Sequence, residues 1–516
     1  MKKNRGIKAV RLMTGLLLLM MAFPLAGQAA TKGQVVYVSG YPSFYQRGGD
    51  PATHAAGNGP LIATTVFEGL VDMGVRLETL PAVAKSWRIA HDWSYIELDL
   101  KEGIKFHNGD PLTAEDVKFS YETHMRPELR QVLGLTYRSR IKDIQVLGPY
   151  KVRFNLKMPA PDLIKRFWWN GAIMPKKYRE QVGDAGFADK PIGSGPFKWV
   201  DYKQDQYFTM EAVPNHHRKT PEFKTLKIIY VPDNSTRLAM LQSGEADIIT
   251  LAGQHIPQIK ADPRFKLVQV KHIIGQTMAY ADLPFPEEKN PFQDIRVREA
   301  ASLAIDRKGI CDKVLFGGSE PYGEALSPYT MGWDSTVKPD PYDPEKAKKL
   351  LAQAGYPNGF KTSIIAGQGS VYWLEAIASN LAEVGIKAEM KILEGAALQD
   401  AYTGKKLRGL IPRNSWYDAE INAGSDLQDA YMEGMPWAYV TTKEISDTLK
   451  KTIAARSDKE ATELGRSLSK LVRDRRVNIH LWSIHASFGT NQRIVQWDQQ
   501  LGSFPATRFE YMKVKD

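Results

Sequence analysis

Cysteine is almost absent from the sequence. Cys311 is the only one among 516 residues, so the chain cannot form an internal disulfide and must be stabilised by its hydrophobic core. Three catalytic motifs are also absent: the G-x-S-x-G turn of hydrolases, the P-loop and the H-E-x-x-H zinc motif. The segment "GQGS" at 367–370 lacks the spacing of a dinucleotide-binding loop. These absences argue against an enzyme and predict no catalytic residue and no cofactor.

Histidine is the remaining residue type that would indicate a metal site. His216 and His217 lie in the polar segment "PNHHRKTPE", which favours a solvent-exposed loop over a pair of metal ligands. His480 and His485 lie five residues apart in a predicted strand, "VNIHLWSIH", so their side chains should point to opposite faces. We therefore predict no metal site.

Long blocks of Lys and Arg are missing, although the chain is basic. It has 69 Lys and Arg against 58 Asp and Glu, a net charge of +11. Five basic residues lie among the first eleven, and the rest of the chain has 64 basic and 58 acidic residues. Such a small excess indicates a soluble surface and predicts no nucleic-acid partner.

The N-terminal segment is typical of a secretory signal peptide. Residues 1–11 are basic, residues 12–27 form a short apolar run, and small residues follow. Cleavage is predicted after Ala29, with Ala30 as the second choice. An uncleaved anchor is the alternative, although a membrane span needs about 20 apolar residues. Because no cysteine lies near this site, the mature N-terminus cannot carry a lipid, and we expect a soluble periplasmic monomer.

The mature chain of about 487 residues exceeds one hydrophobic core, so two or three domains are expected. Two strand–helix–strand patterns predict parallel pairing. The first runs from a strand at 226–232 through a helix capped by Asn234 or Ser235 to a strand at 246–250. The second runs from a strand at 361–366 to an alternating strand after Gly385. Their separation predicts two α/β lobes.

Other segments have clear helix and hairpin signals. Residues 297–310 place their apolar side chains on one helical stripe, which predicts a single helix. Asp343 is a predicted N-cap followed by a proline, and Gly355 is the matching stop signal. Residues 144–156 alternate around a Gly-Pro turn and predict two antiparallel strands.

The segment "KFHNGDPLTAEDVKFSYE" at 105–122 concentrates acidic residues and one histidine. A turn at Asn108 and Gly109 precedes Thr113, a predicted N-cap, and Glu115 and Asp116 lie at the positive end of the helix that follows. Because each acid has such a local role, we interpret this segment as scaffold rather than catalytic site.

Four segments resemble family 5 extracellular solute-binding proteins, the peptide and nickel receptors of ABC importers. They lie at 80–122, "PIGSGPFKW" at 191–199, "NPFQDIRVREAASLAIDRKGI" at 290–310 and "YDPEKAKKLLAQAGYPNGF" at 342–360. The segments occur in the family's order and lie between residues 80 and 360.

The resemblance implies an α/β cluster C, type II-like, periplasmic-binding-protein fold, in which two lobes close on a ligand. An extra domain is inserted in the first lobe. On this sequence it implies a signal peptide at 1–29, lobe I at 31–60, 190–270 and 485–516, the extra domain at 61–189, and lobe II at 271–484. The segment at 105–122 then lies in the extra domain, away from the cleft.

Ligands of open α/β sheets bind beyond the carboxyl ends of the strands. That rule selects Gly253 and Gln254 after the strand at 246–250, and Gln368 and Ser370 after the strand at 361–366. The second pair also opens a helix, whose free N–H groups can bind a carboxylate, although ordinary helix capping explains these residues equally well. The aromatic segment after the strand near residue 35 adds Tyr41 and Phe44.

The segment at 413–426, "RNSWYDAEINAGSD", is the main candidate for ligand specificity. In peptide-binding relatives a tryptophan here precedes an aspartate that pairs with the ligand's α-amino group. The resemblance assigns Trp416 to the first role and Asp418 to the second, with Glu420 in reserve, although the usual Tyr-Pro-Asp continuation is missing. The remaining ligand-binding candidates are Arg413, Asn414, Tyr417, Trp373 and Trp437, and Trp482 is a further cleft-wall candidate.

The expected function is therefore that of a periplasmic substrate-binding protein that delivers a small solute to inner-membrane ABC permease subunits. A di- or oligopeptide is the first choice of ligand. A sugar, an opine, an aromatic compound or a metal chelate is the alternative. A periplasmic hydrolase, and a receptor that also acts as chaperone or sensor, stay open as other functions.

Overall fold

The computed structural model describes most of the chain. The described residues are 33–40, 48–53, 59–74, 78–129, 132–161, 163–168, 171–285, 288, 290–393, 395–416, 427–428, 430–433, 435, 438–439, 442–498 and 508–515. The predicted signal peptide and its cleavage site lie outside them. Among the described residues, no helix has the length and apolar character that a membrane crossing requires.

The described residues include nineteen strands and fourteen α-helices with defined bounds. The strands are β1 Gln34–Ser39, β2 Val71–Met73, β3 Thr79–Pro81, β4 Ala84–Ile89, β5 Tyr95–Leu100, β6 Ile141–Gly148, β7 Lys151–Leu156, β8 Phe197–Lys203, β9 Tyr207–Ala212, β10 Thr225–Tyr230, β11 Ile248–Thr250, β12 Phe265–Tyr280, β13 Ser319–Pro321, β14 Phe360–Ala366, β15 Ile386–Ile392, β16 Leu410–Trp416, β17 Asn478–Asn491, β18 Ile494–Gln496 and β19 Lys513–Val514. The helices are α1 Gly59–Thr65, α2 Ala114–His124, α3 Val132–Arg140, α4 Leu163–Arg166, α5 Lys176–Asp189, α6 Asn234–Ser243, α7 Ile256–Ala261, α8 Ile295–Leu303, α9 Arg307–Lys313, α10 Pro344–Gln353, α11 Val371–Glu383, α12 Gly395–Thr403, α13 Lys443–Ile453 and α14 Asp458–Asp474.

Helix ends follow local sequence signals. Asp343 accepts a hydrogen bond from the Lys346 N–H at the start of α10, as predicted. At α2, Thr113 and Asp116 form a reciprocal capping box, which satisfies two N–H groups of the first turn. At α6 the cap is Asp233, one residue before the predicted Asn234. The predicted helix at 297–310 is confirmed as helical over most of its length but is not continuous, because Asp306 caps a new helix, α9, and separates it from α8.

An eleven-stranded sheet is the centre of the molecule. Its order is β15-β14-β16-β12-β17-β11-β1-β10-β9-β8, with β13 pairing to β17. β1 runs parallel to β10 and β11 on one side, and β14 runs parallel to β15 and β16 on the other. In both predicted units the strands are parallel, but only β14 and β15 pair directly, because β1 lies between β10 and β11. The antiparallel pair β12 and β17 joins the two units.

The β12–β17 pair is long enough to belong to both halves of the sheet. Its register runs from Phe265 opposite Asn491 to Val270 opposite Ala486, and resumes with Ile274 opposite Ile484. Between these pairs β12 advances by four residues and β17 by two, so β12 carries a bulge at 271–273. Because the ladder is interrupted there, the two halves of the sheet meet at a local defect.

A second, antiparallel sheet lies in the predicted extra domain. Its order is β4-β5-β7-β6, and its core packs around Tyr121 of α2. The Tyr121 ring lies 5.0–5.2 Å from the rings of Tyr137, Phe154 and Phe167, all edge to face, an arrangement that aromatic quadrupoles favour. The helix opened by the acidic segment at 105–122 thus completes a core. The boundaries of the lobes and of the extra domain stay predictions.

Candidate functional site

One buried side chain, Arg237, fixes the carboxyl ends of β1, β10 and β11. Its Nε donates to the Thr250 carbonyl (2.9 Å), and its Nη1 donates to the carbonyls of Val231 (2.7 Å) and Pro232 (3.0 Å). The Gly40 N–H, just after β1, donates to Thr250 Oγ1 (2.6 Å), and a Cβ at residue 40 would lie 2.6 Å from the guanidinium. The segments that leave these strands therefore start from fixed positions, at the edge where open α/β sheets bind ligands.

Gly253 and Gln254 lie in the turn that follows β11. The turn is a 3-10 helix, Gly253–His255, in which the Gln254 side chain is exposed. A Cβ on Gly253 would lie 2.9 Å from the Leu315 carbonyl oxygen, so the absence of a side chain allows a close approach of predicted lobe I to predicted lobe II.

Gln368 and Ser370 lie at the equivalent strand end of the other half. They form a 3-10 turn, Gln368–Ser370, directly before α11, with Gln368 exposed and Ser370 half-buried. Trp373, one turn into α11, is only 5% exposed, and its ring packs edge to face on buried Trp482 at 5.3 Å. Both tryptophans therefore lie in the core of this half rather than on an open wall.

Arg413 and Asn414 lie on β16, beside the joining strands. Arg413 is opposite Thr277 in the ladder, and Asn414 is opposite Gln276. The buried Gln276 amide donates to the Arg413 carbonyl (3.0 Å). The Arg413 guanidinium donates to the Ala430 carbonyl (3.2 Å), whereas the Asn414 side chain is exposed.

Several predicted binding residues fall where little is described. The backbone of Trp416 pairs with Ile274 at the end of β16. Tyr41, Phe44, Tyr417, Asp418, Glu420 and Trp437 lie outside the described residues, so their roles stay predictions.

A cluster of ionisable groups surrounds the bulge of β12, and we call it the hinge cluster: Lys271, His272, Glu320, Ser483 and His485. His272 Nε2 lies 2.9 Å from Glu320 Oε1, and its Nδ1 lies 2.9 Å from Ser483 Oγ. Lys271 Nζ lies 3.2 Å from Glu320 Oε2, and His485 Nε2 lies 3.6 Å from the same oxygen. The cluster therefore ties β12, β13 and β17 together where the two halves of the sheet join.

The backbone of His272 is strained. Its φ is 57°, in the left-handed region, which costs a residue with a Cβ roughly 1–2 kcal/mol. The His272 N–H donates to His485 Nδ1 over a long distance of 3.4 Å. Side-chain and backbone contacts with β13 and β17 therefore hold an unfavourable backbone conformation in place.

Burial sets the protonation of the hinge cluster. It lowers the pKa of His485 to about 4 and shifts the pKa of His272 downward. Burial opposes the ionisation of Glu320, but Lys271 and the two histidines keep the pKa of this carboxyl below its usual value. At neutral pH the cluster therefore consists of two neutral imidazoles and a Lys–Glu ion pair.

Sequence reasoning missed the hinge cluster. The spacing of His485 from His480 does not indicate a contact with His272, and His272 and Glu320 lie 48 residues apart in the chain. The segment "VKHIIG" has no turn signal before its histidine, so neither the bulge nor the positive φ was predictable from local sequence. The charged pair "KH" within the largely apolar segment at 267–274 was the one available signal.

A second group of ionisable residues, which we call the junction cluster, lies around Glu68, between α1 and β2. Its other members are Asp72, Ser194, His216, His217, Arg218 and Glu510. Glu68 Oε2 accepts hydrogen bonds from Ser194 Oγ (3.0 Å) and His217 Nε2 (2.8 Å). The His216 side chain is 4% exposed, which corrects the prediction of a solvent-exposed position there, whereas His217 is exposed as predicted.

The geometry of the junction cluster favours ion pairing over metal binding. Ligating atoms of Glu68, His216 and His217 lie within 4.8 Å of one another. Yet His216 Nε2 donates to the Ser194 carbonyl (2.8 Å), and its Nδ1 accepts from the Arg218 N–H (3.3 Å). The Arg218 guanidinium lies 4.0 Å from Glu68. A cation would have to displace these contacts and approach a fixed positive charge.

Arg218 links three carboxylates in this cluster. Its Nη2 lies 3.2 Å from Glu510 Oε1, and its Nη1 lies 3.7 Å from Asp72 Oδ2. Burial opposes the ionisation of Glu68, but the hydrogen bond from His217 and the positive charges nearby lower its pKa to about 2. The junction cluster therefore connects the predicted extra domain with the C-terminal segment through Arg218.

A surface cavity of about 480 Å³ lies at the outer edge of the sheet, away from the turns that follow β11 and β14. Tyr178 and Tyr202 line it together with Trp199 and residues 189–192. Because β8 is the last strand of the sheet, this cavity is separate from the candidate site.

Residues 78–424 match the family model of the bacterial extracellular solute-binding proteins, family 5, middle region. This chain belongs to that family. The resemblance read from the four sequence segments is thus confirmed, and the family consists of binding proteins.

Two curated relatives and one solved structure illustrate the range of the family. Heme-binding protein A of Haemophilus influenzae is 30% identical over 345 residues, which cover 61% of this chain and 62% of the relative. Oligopeptide-binding protein AppA of Bacillus subtilis is 28% identical over 360 residues, 65% of each chain. The match thus spans less than two thirds of the length of either relative.

The solved structure is the periplasmic binding protein DppA of Helicobacter pylori in complex with the peptide STSA. It superposes with a TM-score of 0.76 at 23% identity, covering 94% of this chain and 98% of that one. The predicted fold class, a periplasmic-binding-protein fold with two α/β lobes, is therefore confirmed.

Proposed function

We propose that this chain is the solute receptor of an ABC importer. It captures a small solute between its two lobes and delivers it to permease subunits in the inner membrane. The ligand of first choice is a di- or oligopeptide. The chain acts by binding and has no catalytic role.

The observation that carries the proposal is the β12–β17 pair. Two strands pass from one α/β half to the other, and their ladder is interrupted at 271–273. A receptor that closes on its ligand needs connections that stay continuous while the lobes rotate, with the change confined to a few residues. The bulge provides such a place. It lies between the two candidate strand ends, which are Gly253–His255 in one half of the sheet and Gln368–Ser370 in the other.

The names of the relatives support a small-solute ligand but differ in its chemistry. AppA is named for oligopeptides, heme-binding protein A for heme, and the H. pylori structure contains a tetrapeptide. A free peptide carries an ammonium and a carboxylate, and each must meet an opposite charge in a partly dry cleft. Asp418 is the proposed partner of the ammonium. Arg413, half-buried on β16, is the proposed partner of the carboxylate.

Calorimetric titration of three variants tests the ligand class. Asp418→Asn keeps the shape of the side chain and removes its charge, so peptide affinity should fall at least a hundredfold, since loss of one partner of a buried pair costs about 3–5 kcal/mol. Trp416→Ala should weaken a peptide and a neutral ligand alike. Asp205→Asn is the matched control. Asp205 is exposed, and its φ of 56° is one that asparagine tolerates. The ligand affinity of the Asp205→Asn variant should therefore equal that of the wild type.

The titrations use a library of di- and oligopeptides and a set of sugars. If no peptide binds to the wild type, or if Asp418→Asn binds peptides normally, the peptide assignment is overturned. Binding of a sugar, an opine, an aromatic compound or a metal chelate then identifies the non-peptide receptor.

The proposed location is the periplasm, reached through a cleaved signal peptide. Intact mass of the exported protein should correspond to a chain beginning at Ala30 or Thr31 without a lipid. A mass that retains residues 12–27 would contradict this location.

A further inference from the structure

The hinge cluster contains a hydrogen bond that depends on the protonation of one ring. His485 Nδ1 accepts the backbone N–H of His272, the residue with the positive φ. A neutral imidazole can accept at one nitrogen, whereas an imidazolium donates at both. A proton on His485 would therefore place two donors against each other at the centre of the bulge.

The other ring nitrogen of His485 cannot compensate fully for that loss. His485 Nε2 lies 3.6 Å from Glu320 Oε2, and the same oxygen already lies 3.2 Å from Lys271 Nζ. The His485 side chain is 4% exposed, so water cannot easily replace the lost acceptor. A charged His485 is therefore less stable in the folded bulge than in an open bulge.

From this geometry we propose that the bulge at 271–273 is a proton-sensitive hinge. Protonation of His485 breaks its contact with the His272 N–H, opens the bulge and loosens the connection between the two lobes. Because ligand retention depends on that connection, an acidic medium favours release of the solute. This last consequence rests on the proposed function, whereas the opening of the bulge does not.

The groups around His485 and its neighbour His272 come from every element packed against the pair. Glu320 on β13 and His272 and Lys271 on β12 act on His485 itself. Ser483 on β17, and Tyr322 and Tyr329 in the segment after β13, contact His272 or the backbone beside it. Tyr322 and Tyr329 are neutral at physiological pH, since a phenol has a pKa of about 10 and burial raises it further in both. Glu320 is ionised and paired with Lys271. His272 is the one other group with a pH-dependent charge in the same range, and its protonation would keep its contact with Glu320.

The sign of the effect follows from the lowered pKa of His485. The folded bulge favours the neutral ring, with a pKa of about 4, and an exposed ring has a pKa near 6.5. The bulge is therefore fully stable above about pH 6.5 and loses stability as the pH falls toward about 4. The equilibrium constant for opening of the bulge should be at least tenfold larger at about pH 5 than at neutral pH.

Hydrogen–deuterium exchange of the unliganded protein tests the opening directly. Peptides that cover residues 269–275 are followed at about pH 7.5 and about pH 5, after correction for the pH dependence of chemical exchange. The wild type should exchange at least about tenfold faster at the lower pH. His485→Asn provides an acceptor near the position of Nδ1 without a titratable ring, so its corrected rate should not depend on pH. His91→Asn, at an exposed turn residue, is the control and should behave as the wild type.

Two results would overturn the proposal: equal protection of the wild type at both pH values, or the same pH dependence in His485→Asn. If His485→Asn does not fold, an NMR titration of the wild type decides, and a His485 midpoint equal to that of His91 contradicts the proposal. Peptide affinity at the two pH values is measured separately. If no peptide binds, the proposed function as a peptide receptor is contradicted, but the exchange measurement still decides whether the hinge responds to protons.

Discussion

The junction cluster and the hinge cluster are built from the same residue types, and they differ in how firmly they are held. Each has a glutamate between two histidines and one basic side chain. In the junction cluster, Glu68 is 1% exposed and accepts two short hydrogen bonds. In the hinge cluster, the Glu320 side chain is 36% exposed and holds a backbone with positive φ.

The difference shows that burial and the type of cation decide what a histidine–glutamate cluster does. Arg218 is charged at every accessible pH and lies within 4.0 Å of three carboxylates, so the positive charge of the junction does not depend on pH. The hinge relies on Lys271, which is largely exposed, and on neutral imidazoles. The first cluster fixes the predicted extra domain against the C-terminal segment, whereas the second is proposed to change state with pH.

Removal of Arg218 should have the largest effect on stability. Arg218→Met keeps much of the side-chain volume and leaves Glu68, Asp72 and Glu510 without their common partner. Loss of one partner of a buried ion pair costs about 3–5 kcal/mol, which urea unfolding would measure. Arg264→Met is the control, because Arg264 is largely exposed and pairs only with its neighbour Asp262, and it should cost less than about 1 kcal/mol. Equal effects of the two changes would remove the distinction between the clusters.

Glu68→Gln tests the pH range over which the ionised Glu68 carboxylate stabilises the protein. The pKa of Glu68 is about 2 in the folded state and near its ordinary value in the unfolded chain, so its ionic contribution is present above about pH 4.5 and is lost as the pH falls toward 2. The stability difference between wild type and variant should be constant from pH 7 to about pH 5. Below about pH 4.5 it should shrink by about 1.4 kcal/mol per pH unit. A change that begins near pH 6.5 would mean that the junction responds to pH like the hinge.

Thr113→Ala tests the scaffold role of the acidic segment at 105–122. It removes the capping box with Asp116, and loss of an N-cap costs about 0.5–2 kcal/mol. Thermal unfolding should record that loss, and ligand affinity should stay the same. A tenfold change in affinity without loss of stability would place this segment in the binding site.

Lys271→Ala should have the smallest effect on stability. The Lys271–Glu320 pair is exposed at both ends, and such pairs contribute less than about 1 kcal/mol. Urea unfolding at neutral pH should therefore give a free energy of unfolding within about 1 kcal/mol of that of the wild type. A loss of 3 kcal/mol or more, as at Arg218, would show that the hinge is held as firmly as the junction.

The parts of the fold with local signals were predictable from sequence. Asp343 and Gly355 define the ends of α10 because a cap and a left-handed glycine act within one turn. The two parallel units followed from strand–helix–strand order. The break at Asp306 was missed because the apolar stripe continues across it, so periodicity alone favoured one helix.

The candidate site was only partly predictable. The rule of strand ends selected Gly253 and Gln368, which lie in turns after β11 and β14. Trp373 was a wall candidate because tryptophan suits both clefts and cores, and the structure places it in a core against Trp482. The hinge cluster depends on pairing between β12, β13 and β17, and the junction cluster joins residues from 68 to 510. Such long-range contacts leave no local pattern in one sequence.

Native mass spectrometry of the protein purified from the periplasm tests the central claim, that the two lobes hold a small solute, most directly. We expect a fraction of the protein to carry one noncovalent mass of a few hundred daltons, released on activation, whose fragments are amino acids. A non-peptide mass would keep the receptor role and change the ligand class. Bare protein only, with no shift after addition of peptide, sugar, opine or metal–chelate pools, would contradict the account.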